Sequence, residues 1–277
     1  MNPATSLKRA LVGQVRAVFN DQAKGEKPVV RRPDGLFGPQ SVAWRVHGDL
    51  ITMMVGGVTA LLLQMLHPAV LAGVWDHSAF RHDMLGRLRR TARFIAVTGY
   101  DSREAAEAAI EKVREVHLKV RGTLPDGTPY AADDPRLLAW VHVTEAVSFL
   151  SAWIRYAEPG MSLADQDRYF AEFAIIAEAL GADPVPRSRA EAEALIAGMR
   201  GELASDARTR EVARMVLDQP APNLVVKPFQ EMIFHAAVDL LPAWAREMHR
   251  LSGPRFTTPA VRLGTRGIAN MMRWAFR

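Results

Sequence analysis

Leu50 to Leu66 reads LITMMVGGVTALLLQML, and the placement of these seventeen residues decides the fold. The run is apolar nearly all round a helix, so it belongs either at the centre of a helical bundle or across a bilayer. Thr52, Gly56, Gly57, Thr59 and Gln64 interrupt it, and its length sits at the lower edge of a membrane span. The expectation is a buried central helix, ended or kinked at Pro68.

Outward from this run, almost every segment reads as helix. Pro28 to Gln40 is a loop, broken by Arg32-Pro33, Asp34-Gly35 and Gly38-Pro39. A helix is predicted from about Asp83 to Thr98, stopping at Gly99, and a second from an Asp101-x-x-Glu104 capping box to Gly122. Thr123 to Asp133 is a turn-rich loop with the makings of a short hairpin, and Asp134-Pro135 opens a helix reaching Tyr156. Further helices are predicted at 163–180, 188–203, 207–218, 224–238, 240–251 and 257–275. With no run of alternating strands and no repeat, the chain reads as one all-α domain, a multi-helix bundle over residues 1–277.

The 277 residues are 49% hydrophobic and 23% charged, which suits a packed globule and rules out a disordered chain. There is no cysteine. That excludes disulfides, thiol nucleophiles, Cys-ligated zinc, iron–sulfur clusters and thiolate-ligated haem. Met1 to Asn20 is too polar for a secretory signal, so the expected location is cytoplasmic. The net charge of +5 is uneven: Met1–Arg32 and Arg255–Arg277 each carry +5, leaving −5 between them. Such basic ends either pack across the acidic middle or lie on an anionic membrane surface as a peripheral contact. No motif of nucleic-acid recognition accompanies them.

Eight histidines are present, yet there is no His-Glu-x-x-His zinc motif, paired Glu-x-x-His, Gly-x-Ser-x-Gly elbow, P-loop or dinucleotide fingerprint. His117 stands out because it joins Ile110, Val113, Val116 and Val120 on one predicted helix face, opposite Glu111, Lys112, Arg114, Glu115 and Lys119. An imidazole there needs a hydrogen-bond partner or a metal. Arg87 and Thr91 share a face four residues apart, in a helix that also carries Phe80, Met84, Leu88 and Ile95 nearby; a part-buried arginine there calls for an anion. Glu231, His235 and Asp239 form a stripe that reads as hydrogen-bonded surface. His142 and Glu145 after Trp140 suit either a pocket wall or plain packing. Met53, Met54, Met65, Met271 and Met272 read as gap-filling core.

Taken in order, Gln64-Met65-Leu66-His67-Pro68, Asp76-His77-Ser78-Ala79-Phe80, Arg87-Leu88-Arg89-Arg90-Thr91, Val116-His117, Tyr130, Asp134-Pro135 and Trp140-Val141-His142 resemble the catalytic domain shared by MpaB-type oxygenases and the rubber oxygenases (latex-clearing proteins). The likeness is carried by motifs between Ala43 and Tyr156. It implies an all-α protein that binds haem b through a histidine and acts with molecular oxygen on a hydrophobic small molecule or lipid. Carried across by position, the proximal haem ligand falls on His117 and the Arg-x-x-x-Thr pair on Arg87 and Thr91. The resemblance further implies Arg87 or Arg90 as partners of the haem propionates. His67, His77 and Gln64 become candidates for a sixth ligand or for bonding to oxygen. Gly56 and Gly57, with Ala60, would let a flat ring approach the central helix, or equally a neighbouring helix pack closely on it. On this reading residues 1–40 are a basic helix and loop, 41–156 the haem-binding core, and 157–277 further helices with a basic tail. Rubber-cleaving relatives resemble a Lys-Thr pair where this chain has Arg90-Thr91, and they are longer and secreted, so rubber itself is a poor substrate expectation. The alternative to turnover is a six-coordinate haem-binding protein or a helical membrane-surface protein.

Overall fold

The structure, a computed structural model, describes residues 27–221, 223–224, 226–251 and 259–276. The basic helix expected within residues 1–26 lies outside these, as do Arg255 and Arg277 of the tail.

Among the described residues the chain forms twelve α-helices and one two-stranded hairpin. In chain order the helices are α1 (Val42–His47), α2 (Leu50–Gln64), α3 (Pro68–His77), α4 (Met84–Tyr100), α5 (Arg103–His117), α6 (Pro135–Tyr156), α7 (Leu163–Leu180), α8 (Arg189–Met199), α9 (Ala207–Leu217), α10 (Lys227–Leu240), α11 (Ala243–Met248) and α12 (Pro259–Phe276). Strands β1 (Arg121–Thr123) and β2 (Pro129–Ala131) pair antiparallel between α5 and α6.

Local chemistry sets most of these boundaries. Asp49, Asp83, Ser102, Asp134, Ser162, Ser188 and Asp206 each accept a backbone N–H at a helix start. Each such cap stabilises its helix by about 1 kcal/mol. Pro135 takes the first position of α6 behind Asp134, where a missing N–H costs nothing. Gly181 ends α7 at φ +94°, a conformation that favours glycine.

The apolar run forms α2, which is the buried axis of the bundle. Eleven of its fifteen residues are buried. It runs along α6 on one side and α10 on the other, and α12 packs on both α2 and α10. The chain bends by 104° from α2 into α3, with Pro68 opening the second helix. By length and composition α6 could cross a membrane, as could the bent α2–α3 pair taken together, but 61% of the apolar window of α6 is buried inside the bundle. Three C-terminal arginines bond to the bundle: Arg262 binds Asp239, Arg273 binds Asp49, and Arg266 donates to the Arg155 carbonyl.

Several boundaries differ from the sequence reading, three of them near the α4–α5 pair. Helix α4 runs through Gly99 to Tyr100, because the chain turns extended only at Asp101. The cap of α5 is Ser102, whose hydroxyl accepts from Ala105; Asp101 instead accepts from the Ser102 N–H, so no Asp101–Glu104 box forms. And α5 stops at His117, where Lys119 and Val120 donate to the carbonyls of Val116 and His117 in tighter turns that lead into the hairpin. The valine stripe is therefore cut short, and Val116 is 49% exposed.

Candidate functional site

Four helices converge on one cleft. From α6, Leu138, Val141, His142 and Glu145 share a face at helical spacing. Helix α7 supplies Phe173, Ile176, Ala177 and Leu180, while α4 supplies Phe94, Ile95 and Thr98. His117, at the end of α5, lies on the same cleft. The cavity between them is small, about 60 Å³. The walls are mostly apolar, with two imidazoles and one carboxyl among them.

Both imidazoles are unsatisfied. Among the described residues, His117 Nδ1 and His142 Nε2 are buried without a hydrogen-bond partner. Burial pushes the His117 imidazole below its usual range against the opposing pull of Asp133, and burial alone pushes His142 down to about 4. Both rings are thus neutral at pH 7, the form that binds a metal. The ring of His142 lies 5.0 Å from that of Phe173, which holds its orientation. Glu145 is raised to about 7 by burial, although the Gln64 amide, 3.4 Å from Oε1, favours the ionised form. Gln64 also donates to the Val141 carbonyl, so the end of α2 is tied to this stretch of α6.

Arg87 and Thr91 extend the α4 stripe that enters the cleft, since 87, 91, 94, 95 and 98 recur at helical spacing. At 1.5 Å per residue, Arg87 and His117 each lie about 20 Å from the α4–α5 turn, and these two helices pack on each other. Arg87 is part-buried and donates to the Ser78 hydroxyl at 3.0 Å. Among the described residues it has no carboxylate partner, and burial, with Arg90 nearby, lowers its guanidinium to about 10. Thr91 is exposed.

Other expected residues lie elsewhere. Arg90 is exposed and pairs with Asp83 at 3.4 Å, because both project from the solvent side at the start of α4. Gly56 faces α6: a Cβ there would sit 2.7 Å from the Phe149 ring and 2.9 Å from its Cα. The glycine thus serves close helix packing, and Phe149 fills the space proposed for a flat ring at Gly56; Gly57 also looks toward Phe149, at 3.8 Å. His67 caps α3, accepting from Ala69, and its Nε2 lies 3.7 Å from Glu202, away from the cleft lining. His77 is exposed beside Tyr130. Asp239 is not surface: its carboxylate is fully buried between Arg155 and Arg262.

Sequence reasoning did not single out Phe94, Thr98 or Phe173, because their convergence depends on how α4 and α7 meet α6. The i, i+3 spacing of His142 and Glu145 was the one local sign of that wall. Among the described residues, no three His, Asp or Glu side chains gather closely enough to hold a metal ion. His117, His142 and Glu145 share a cleft without converging on a point, an arrangement that suits a ligand broader than a bare ion.

No curated protein and no solved structure matches the chain. Residues 44–274 match the family described as ER-bound oxygenase mpaB/B′/rubber oxygenase, catalytic domain, and so span α2 to α11 and nearly all of α12. Covering most of the chain and the whole of the cleft, this match makes the protein a member of the MpaB/rubber oxygenase catalytic-domain family.

Proposed function

We propose that this oxygenase-family protein is a haem b enzyme that oxidises a hydrophobic small molecule or lipid in the cleft between α4, α5, α6 and α7. The observation that carries this reading is the pair of buried ring nitrogens without partners, on His117 and His142, in one apolar cleft. Neutral, unsatisfied imidazoles fit a group that takes nitrogen ligands, and a porphyrin iron needs only one protein ligand rather than a cluster of three. His117 would hold the iron. Arg87, part-buried and without a carboxylate partner among the described residues, would take a propionate as a charge-assisted pair. When bound, haem supplies the activation of molecular oxygen.

The rest of the chemistry falls to the chain's own side chains. Phe94, Ile95, Leu138, Val141 and Phe173 exclude water and accept an apolar substrate. Glu145 retains a proton near neutral pH. With Oε1 accepting from Gln64, that proton sits on Oε2, where it can be donated within the cleft.

His142 supports a second reading, in which both imidazoles bind the iron and no turnover follows. Expression with haem supplementation separates the readings. One haem b per chain, lost in His117→Ala and weakened in Arg87→Ala, with a vacant position that takes carbon monoxide on reduction, is the expected result. A six-coordinate spectrum that becomes five-coordinate in His142→Ala would favour the second reading. Folded wild-type protein that takes up no haem would overturn both.

A further inference from the structure

A second cavity lies across α6 from the cleft. Trp140, Thr144, Val147, Ser148 and Ser151 line it from the opposite face of the helix, spaced so that one stripe forms its floor. Thr59 and Leu63 of α2 close one side; Ile196 of α8 and Trp244 of α11 close the other. The cavity volume is about 80 Å³.

Its polar groups are unequal. The Thr59 hydroxyl donates to the Val55 and Ala237 carbonyls, and that of Thr144 to Trp140 and Val141. The Ser148 Oγ is buried with no partner among the described residues, in a residue only 1% exposed. An unsatisfied hydroxyl in such a place costs free energy that a ligand oxygen would offset. Among the described residues no Asp, Glu, Lys, Arg or His lines the cavity, so it disfavours a charged ligand. Outside it, the Arg200 guanidinium lies 4.9 Å from the Trp244 ring centre and braces that wall.

We infer that this cavity binds a small neutral molecule with an apolar body and a single oxygen, a ketone or an alcohol, whose oxygen pairs with the Ser148 hydroxyl between the Trp140 and Trp244 indoles. The site is separate from the cleft and does not depend on a cofactor.

The test is calorimetric and ligand-observed NMR titration of the full chain with 2-hexanone, with hexanoate as the charged comparison. One site per chain is expected for the ketone, with hexanoate bound at least about ten-fold more weakly. Ser148→Ala should weaken the ketone about five-fold, the loss expected for one neutral hydrogen bond. Ser148→Leu, or Ile196→Phe entering the same space from α8, should abolish binding, while His142→Phe in the cleft should leave it unchanged. Circular dichroism establishes that each variant is folded. No binding to the wild type, ketone affinity unchanged in both filling variants, or loss only in His142→Phe would each overturn the assignment.

Discussion

His117, the last residue of α5, and His142, on α6, line one cleft, and among the described residues each leaves a buried ring nitrogen without a hydrogen-bond partner. The two rings come from helices separated by the hairpin Arg121–Ala131, which turns the chain back onto α3 through the Tyr130 hydroxyl bonded to Asp76 at 2.7 Å. The chemistry proposed for this protein depends on that return.

The two histidines should not be equivalent. His117→Ala is expected to remove the Soret band of haem-supplemented protein, whereas His142→Ala should retain close to one haem per chain. Equal loss in both variants, with folding intact, would contradict the assignment of His117 as the holding residue.

Gly56 and Gly57 are adjacent yet should respond oppositely to alanine. A methyl group at Gly56 meets the Phe149 ring and backbone at 2.7 and 2.9 Å, so Gly56→Ala should cost about 1–3 kcal/mol through forced separation of α2 and α6. At Gly57 the nearest atom is 3.8 Å away, and the better helix propensity of alanine should leave stability unchanged or raise it by up to about 1 kcal/mol. Urea unfolding of the two variants checks this, and equal effects would refute the packing argument.

Asp239 joins three helices. Its carboxylate, with no exposed surface, is bound by Arg155 of α6 and Arg262 of α12, both at 2.8 Å. Asp239→Ala should destabilise by about 1–3 kcal/mol: three helices lose a shared hydrogen-bond acceptor, while the part-exposed arginines regain water. A loss below about 1 kcal/mol would mean that water replaces the carboxylate.

Acid should weaken the fold through His47. Burial among Phe149, Tyr169 and Phe173 pushes its imidazole from 6.5 down to about 3, and its Nε2 shares a 2.9 Å hydrogen bond with the Tyr169 hydroxyl. Between these values the unfolded chain binds a proton that the folded chain refuses, so stability rises with pH. The slope is at most about 1.4 kcal/mol per pH unit for one such group. His142 acts in the same direction. Glu145, raised from 4.5 to about 7, acts in the opposite one, since the folded chain holds its proton longer. Unfolding free energies measured from pH 4 to 6.5 should show a shallower slope in His47→Gln than in the wild type. An unchanged slope would remove His47 from the account.

The order and ends of most helices were legible because they rest on local chemistry. Asp134-Pro135 opens α6 by capping and a fixed φ, and apolar content around the whole circumference makes α2 a core helix. The misjudged boundary at His117 has a local cause too: the period of the valines continues past it, but the hairpin competes for the same residues.

The cleft was legible only in fragments. Sequence spacing put Arg87 with Thr91 and His142 with Glu145, each pair on one helix. Nothing within five residues of Phe173 reveals that it meets His142 at 5.0 Å, or that Gln64 reaches Glu145 from the end of another helix. The same limit applied to Gly56, whose spacing served a ring or a neighbouring helix equally well until Phe149 occupied the space. By itself the sequence determined the all-α class, the central helix and the family motifs, because periodicity, capping and residue order act along the chain. Only the tertiary structure decided which histidines share a cleft and that Arg87 donates to the Ser78 hydroxyl, because burial and pairing arise between helices that are distant in sequence.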